Sequence, residues 1–219
     1  MIYDRVLDEL GRAVVDGTHP VGTARSTDDL VARTGASRSV VREAVRVLAG
    51  LGLVTARRRV GVRAAPPEEW DTTDPLVIGW RLAGPDRLRA LDELRALRRA
   101  IEPQAAAAAA ERASDATGRD GREALLAAAD RLATAAGAGD AATFLQADRQ
   151  VHRSVLALSG NAVFVRLGRV VARALDERAD VPPDVHDVGL HVRLADAVVR
   201  GDADAAAATM TEIVDRAVA

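Results

Sequence analysis

Six consecutive alanines, Ala105 to Ala110, constrain this 219-residue chain more than any other feature. Alanine gives up no side-chain entropy in a helix, packs closely, and is depleted from strands. Aromatic residues are 2 % of the chain and apolar residues 48 %, so the core must be built from Ala, Leu and Val on helices instead of the aromatic pairs of a β-sandwich. The expected fold class is mostly α. Helical spacing recurs from residue 86 onward, at Leu88, Leu91, Leu94 to Ile101, at Leu125 to Leu132, Phe144 to Leu158, Val163 to Leu175, His191 to Val199 and Ala205 to Val218. About six helices, with Gly, Pro and Asp between them, predict a C-terminal antiparallel helical bundle over residues 86–219. Pro103 is expected to kink or break the first of them.

Other chemistry is bounded by what the chain lacks. It has no cysteine, which excludes disulfides, thiolate catalysis and a Cys-based zinc site. All of its basic residues are Arg, suited to bidentate contact with phosphate or carboxylate. Neither a signal peptide nor a run of about 20 apolar residues is found, so a soluble, cytoplasmic protein without membrane contact is expected. The net charge of −2 is unevenly spread: residues 1–65 hold eleven Arg against seven Asp and Glu. A basic front suits a polyanion, and equally a solvated surface with a small positive excess. Prolines and glycines with two tryptophans, Trp70 and Trp80, mark residues 66–85 as a linker whose indoles anchor it to a domain or to a second subunit.

Residues 1–65 read as a winged helix-turn-helix domain of three helices and a small β wing. Tyr3, Val6, Leu7, Leu10 and Val14 lie at helical spacing before Gly17. Ser26 or Thr27 can cap a second helix that carries Asp28 and Asp29 in its first turn and stops at Gly35. Ser37 can cap a third, whose buried stripe is Val40, Val41, Ala44, Val45 and Leu48. "LGLVTARRRVGVRA" then supplies two short strands about a basic tip. Arg38 and Arg42 stand one turn apart near the end of the third helix that would enter a major groove, where Arg takes guanine bidentately and cap hydroxyls take phosphate. Arg58 and Arg59 sit at the wing tip, beside Gly61.

The stretch "GASRSVVREAVRVLAGLGLVTARRRVGV" resembles the recognition helix and wing of the GntR superfamily. The resemblance implies operator contacts from Ser37, Arg38, Ser39, Arg42 and Gly61. The segment before the second helix, "GTARSTDDL", departs from that family's pattern: it is shorter and lacks a Leu-Pro-Ser-Glu core.

In the helix around "ADRQVHRSV", Phe144, Leu145, Val151, Val155 and Leu158 define the buried side, and Asp148 and His152 continue that stripe. Two helices later His191 opens the apolar face of Leu194, Ala195 and Val198. Burying a carboxylate and two imidazoles costs several kcal/mol unless each is paired. A divalent cation would satisfy all three together. On spacing alone, a His152–Asp148 bond with His191 on a carbonyl or water serves as well. His19 and His186 read as solvated loop residues.

"ELRALRRAIEPQAAAAAAERAS", "FLQADRQVHRSVLALSGN" and "HVRLADAVVRGDADAAAATM" resemble successive parts of the FCD effector domain of FadR-like regulators. The resemblance implies Asp148, His152 and His191 as metal ligands, zinc first and nickel or manganese as alternatives. A fourth ligand, often His in the family, falls on Ile213. Arg98, before Ile101 and Glu102, would hold an effector carboxylate, or be tied up by Glu102 at i+4. Asn161 would be a polar group of the pocket or the cap of the next helix. "DPLVIGW" resembles members that sense sugar acids. Together these imply a homodimeric, ligand-responsive repressor released from a palindromic double-stranded DNA operator by a small sugar acid or hydroxy acid. The alternatives are a metal-free regulator sensing an acyl-thioester and, last, a metal-dependent hydrolase.

Overall fold

Val6, Leu7, Leu10 and Val14 bury one side of α1 (Ile2–Val15), as their spacing predicts. A computed structural model of the chain describes residues 1–113, 115, 118–176 and 185–216; the expected end of the last helix at Val218 lies outside these. The chain divides into two compact units, Met1–Leu91 and Asp92–Ala219.

In the first unit, α2 (Thr27–Thr34) starts at a capping box. The Ser26 hydroxyl accepts the Asp29 N–H at 3.0 Å and the Asp29 carboxylate accepts the Ser26 N–H at 3.1 Å. Gly35, at φ 63°, ends it in the left-handed conformation. After this turn α3 (Arg38–Gly50) begins at Ser37, whose hydroxyl accepts the Val40 N–H at 3.4 Å. Leu30, Val41, Ala44, Val45 and Leu48 close the core against α1. The wing is the antiparallel hairpin of β2 (Val54–Arg57) and β3 (Gly61–Ala64). A third strand, β1 (Ala24–Arg25), pairs with the other edge of β3, giving the order β1-β3-β2. It comes from the shortened segment before α2, where no strand was expected.

Gly61 has φ 96°, and a Cβ there would clash with the Arg25 carbonyl oxygen across the β1–β3 pair. Gly61→Ala is expected to destabilise the protein by about 2 kcal/mol, from left-handed strain plus the clash. Amide exchange at Val62 and Arg63 should accelerate; unchanged protection would show that the wing absorbs the methyl group.

The segment read as a linker is not free of helix. Asp74 caps α4 (Pro75–Ala83), accepting the Leu76 N–H at 2.8 Å, and proline occupies the first helical position. Val77 and Trp80 of α4 join the core of the first unit. The Trp80 indole N–H donates to Asp8 Oδ1 at 2.8 Å, and its ring lies against Gly11, where a Cβ would come within 2.5 Å. Trp70 donates to the Ala65 carbonyl at 3.1 Å. Both indoles therefore anchor this segment to the domain before it. His19 is also not solvated: it is buried, with Nε2 at 3.1 Å from the Thr23 carbonyl, and burial pulls its pKa down.

Six helices follow among the described residues: α5 (Arg87–Glu111), α6 (Arg119–Ala138), α7 (Ala141–Leu158), α8 (Ala162–Asp176), α9 (Val185–Arg200) and α10 (Ala203–Arg216). Helix α5 runs on through Pro103, so the proline does not break it. The alanines at 105, 106, 109 and 110 are buried, and this small-residue face packs with Leu125, Val151, Val155, Leu194 and Met210 in the second core. None of the helices among the described residues is long and apolar enough to cross a membrane.

Candidate functional site

Helices α5, α7 and α9 of the second unit bring one buried cluster together, and α7 and α9 supply its inner three groups. Helix α7 contributes Asp148 and His152, one turn apart on its inward stripe, and α9 contributes His191. All three are buried, and one potential ligand atom from each lies within 4.8 Å of the others. Asp148 Oδ1 is 2.9 Å from His191 Nε2 and 3.7 Å from His152 Nε2, and the two rings meet edge to face at 5.8 Å. The inward placement read from the helical wheel is what the structure has.

The outer nitrogen of each imidazole is already engaged. His152 Nδ1 bonds Glu102 Oε2, and His191 Nδ1 donates to the Asp187 carbonyl at 2.6 Å. Those acceptors place the proton on Nδ1, so each Nε2 carries its lone pair inward. Asp148 Oδ1, His152 Nε2 and His191 Nε2 are buried without a hydrogen-bond partner, the 2.9 Å approach lacking the alignment of one. Three acceptors turned toward one another in an apolar interior are costly unless a positive group lies among them. The carbonyl bond of His191 is half of the alternative weighed from sequence, but it uses the nitrogen that faces away from Asp148.

The electrostatics agree. Burial works against the Asp148 charge, yet His191, His152 and Arg98 hold its carboxyl well below the usual range. Burial also pushes the His191 pKa down, and Asp148 beside it reverses that to a net rise. Both shifts have one cause, the attraction of Asp148 for positive charge beside it, which a cation would meet equally.

Arg98 and Glu102 of α5 form a buried pair, Nε donating to Oε1 at 2.5 Å. Arg98 is thus tied to Glu102, as its i+4 spacing allows, but Nη2 remains buried with no partner. Glu102 is fully buried; desolvation opposes its charge, and Arg98 and His152 hold its pKa at about 2. Sequence reasoning saw Glu102 only as a tether for Arg98. Its bond to His152, 50 residues on, carries no local signal.

The remaining expected residues lie elsewhere. Asn161 is exposed at the start of α8, where its Oδ1 accepts the Val163 N–H at 2.9 Å and the Phe164 N–H at 3.3 Å. It caps that helix and is not part of the buried cluster. Ile213 is buried in the apolar core and supplies no ligand atom. Glu212 pairs with the exposed His186 at 2.8 Å.

In the first unit, Ser37, Arg38, Ser39 and Arg42 are exposed on the N-terminal half of α3. Ser37 and Ser39 share a hydroxyl hydrogen bond of 3.0 Å, and Arg38 pairs with Asp28. Arg42, Arg46, Arg57, Arg58 and Gly61 line a cleft of about 620 Å³ between α3 and the wing. Arg59 holds φ 69°, a left-handed backbone rare outside glycine, at the exposed tip of the turn. Guanidinium groups therefore gather on one side of the three-stranded sheet and the third helix.

Residues 2–63 match the bacterial regulatory proteins of the gntR family, and residues 93–216 match the FCD domain. The galactonate operon transcriptional repressor of Escherichia coli K12 is 29 % identical over 213 residues, covering 93 % of this chain and 89 % of its own. The uncharacterized HTH-type regulator YieP of the same organism is 31 % identical over 104 residues, 47 % of this chain and 45 % of its own. Among solved structures, a GntR protein of Streptococcus agalactiae superposes with a TM-score of 0.53 at 23 % identity, covering 98 % of both chains. Lar, which controls the Listeria monocytogenes agr system, gives 0.62 at 16 % identity, covering 99 % of this chain and 94 % of that one. At those identities the structural likeness speaks for the fold alone.

Proposed function

Since this chain belongs to the gntR family of bacterial regulatory proteins that carry an FCD domain, we propose that it is a repressor released from its DNA operator by a small carboxylate, held at a divalent cation on Asp148, His152 and His191. The observation that carries this reading is the set of unpartnered buried atoms: three acceptors that converge on one another, and a donor of the same unit, Arg98 Nη2. Two imidazoles and a carboxylate suit zinc, with nickel or manganese next. A bound cation supplies positive charge for an anionic oxygen, and Arg98 offers the guanidinium that carboxylates pair with. The galactonate repressor, a relative along most of the chain, supports a sugar acid as the effector class. The hydrolase weighed from sequence finds no support, because the relatives are regulators.

On DNA, we assign base reading to Arg38 and Arg42, and backbone contact to the hydroxyls of Ser37 and Ser39 and to the wing at Arg58, Arg59 and Gly61. A homodimer would present two such heads to a palindromic site. An effector that releases DNA must bind the released state more tightly, with coupling of about 1–3 kcal/mol. The test is anisotropy titration of the protein on an operator selected from random duplex DNA, with and without galactonate and zinc. Release that needs both, and disappears with chelator, supports the scheme; release by galactonate in metal-free protein rejects the cation's part. In the same assay Arg42→Ala should weaken operator binding about tenfold or more, the worth of a bidentate base contact, while zinc uptake stays unchanged.

A further inference from the structure

Glu102 is fully buried, and both of its oxygens are spent outside the gap between the three acceptors: Oε1 takes Arg98 Nε at 2.5 Å and Oε2 takes His152 Nδ1. Resting on the reading above, we propose that Glu102 positions both halves of the site, the His152 ring and the Arg98 guanidinium, and that its charge tunes the site to an effector with a single carboxylate.

The positioning follows from the bonds. A carboxylate on Nδ1 fixes the ring's orientation and tautomer and raises the basicity of Nε2 toward a metal. The guanidinium is a rigid planar fork, so holding Nε fixes where the partnerless Nη2 points. One side chain thereby couples the cation half to the anion half.

The charge follows from the inventory around the cluster. Glu102, ion-paired with Arg98 and bonded to His152, counts one negative charge, Asp148 as a carboxylate ligand counts another, and the Arg98 guanidinium counts one positive. Asp187, whose carbonyl takes His191 Nδ1, has its own carboxylate paired with Arg216 at 2.7 Å. With a divalent cation in place both imidazoles are neutral, and the site carries one net positive charge. One carboxylate cancels it, whereas a second would be a buried anion without compensation, which is strongly unfavourable. Glu102→Gln keeps the shape, removes one negative charge, and leaves room for a second carboxylate in that balance.

The experiment uses full-length wild type and Glu102→Gln. The metal-free proteins are titrated with zinc against a chromogenic chelator, and the zinc-loaded forms with galactonate and with galactarate, which share a skeleton and differ by one carboxylate. Wild type should prefer galactonate. Glu102→Gln should bind zinc about tenfold or more weakly, the usual loss for an outer partner of a metal-ligating histidine. Its galactonate-to-galactarate preference should fall by about tenfold, a change that loss of packing alone would not produce. Unchanged zinc affinity in a variant that melts cooperatively overturns the positioning role, and an unchanged preference overturns the charge assignment. Should the variant not fold, wild type decides by itself: galactarate bound as tightly as galactonate sinks the proposal. If wild type binds zinc but neither acid, the effector class falls and with it the charge assignment, while the zinc comparison still judges the positioning role. If wild type takes up no zinc, the cation reading falls first and this inference with it.

Discussion

Replacement of His152 by Ala is expected to lower zinc affinity by about a hundredfold or more, since removing a ligand exceeds the 10–100-fold loss seen when only its outer partner goes. Asp148 and His191 remain, 2.9 Å apart, but two ligands from two helices leave the cation without the third fixed point. Glu102 loses the imidazole that one of its oxygens holds and keeps only Arg98. Release of operator by galactonate should be lost over the range in which wild type responds. Operator affinity itself should stay within about twofold, because the arginines assigned above to the operator stand on a unit with a core of its own, and changes at distant sites couple by only a few tenths of a kcal/mol. Chelator competition and anisotropy measure the two separately. Equal loss of both would show that the cluster is needed for folding and would remove it as a sensor.

Trp80→Ala should destabilise the first unit by about 3–5 kcal/mol, the range for deleting a buried aromatic ring. The indole is buried among Val6, Leu10 and Val77, and Gly11 is shaped to receive it. Its N–H is satisfied by Asp8, which also pairs with Arg12 at 2.7 Å. Burial raises the Asp8 pKa, and the bonds from Arg12 and Trp80 more than reverse it, so the acceptor stays charged. Against about 5–15 kcal/mol of total stability, such a loss takes a large share. The melting transition of this unit should fall by about 12 °C or more at 4–8 °C per kcal/mol. Scanning calorimetry reads it directly; a drop under about 3 °C would mean that α4 is not part of the unit's core.

The helix-turn-helix was legible because Ser26, Gly35 and Ser37 punctuate apolar stripes that are local in sequence. Asp148, His152 and His191 were legible for the same reason: each continues an apolar stripe on its own helix. What escaped depends on signals that local reading discounts or cannot contain. Helix α4 was hidden by Pro75 and Gly79, although proline just after an Asp cap is a start signal and not a stop. Strand β1 has two residues and exists only because β3 has an edge to offer. His19 lies in a turn rich in small residues and is buried through its bond to the Thr23 carbonyl, which its sequence neighbours do not announce. The Glu102–His152 contact joins residues on different helices, and no period along either helix encodes it.

The buried cluster draws its groups from α5, α7 and α9, segments separated by long stretches of chain. The proposed cation, gripped by α7 and α9 and braced from α5 through Glu102, would work as a removable crosslink, present only when the helices are already assembled. Binding confined to the native state adds to stability by mass action, about 4 kcal/mol when the free ion stands a thousandfold above its dissociation constant. On the proposed function, the supply of the ion in the cell would then govern how firmly this half of the regulator stays folded, besides whether it can answer its effector.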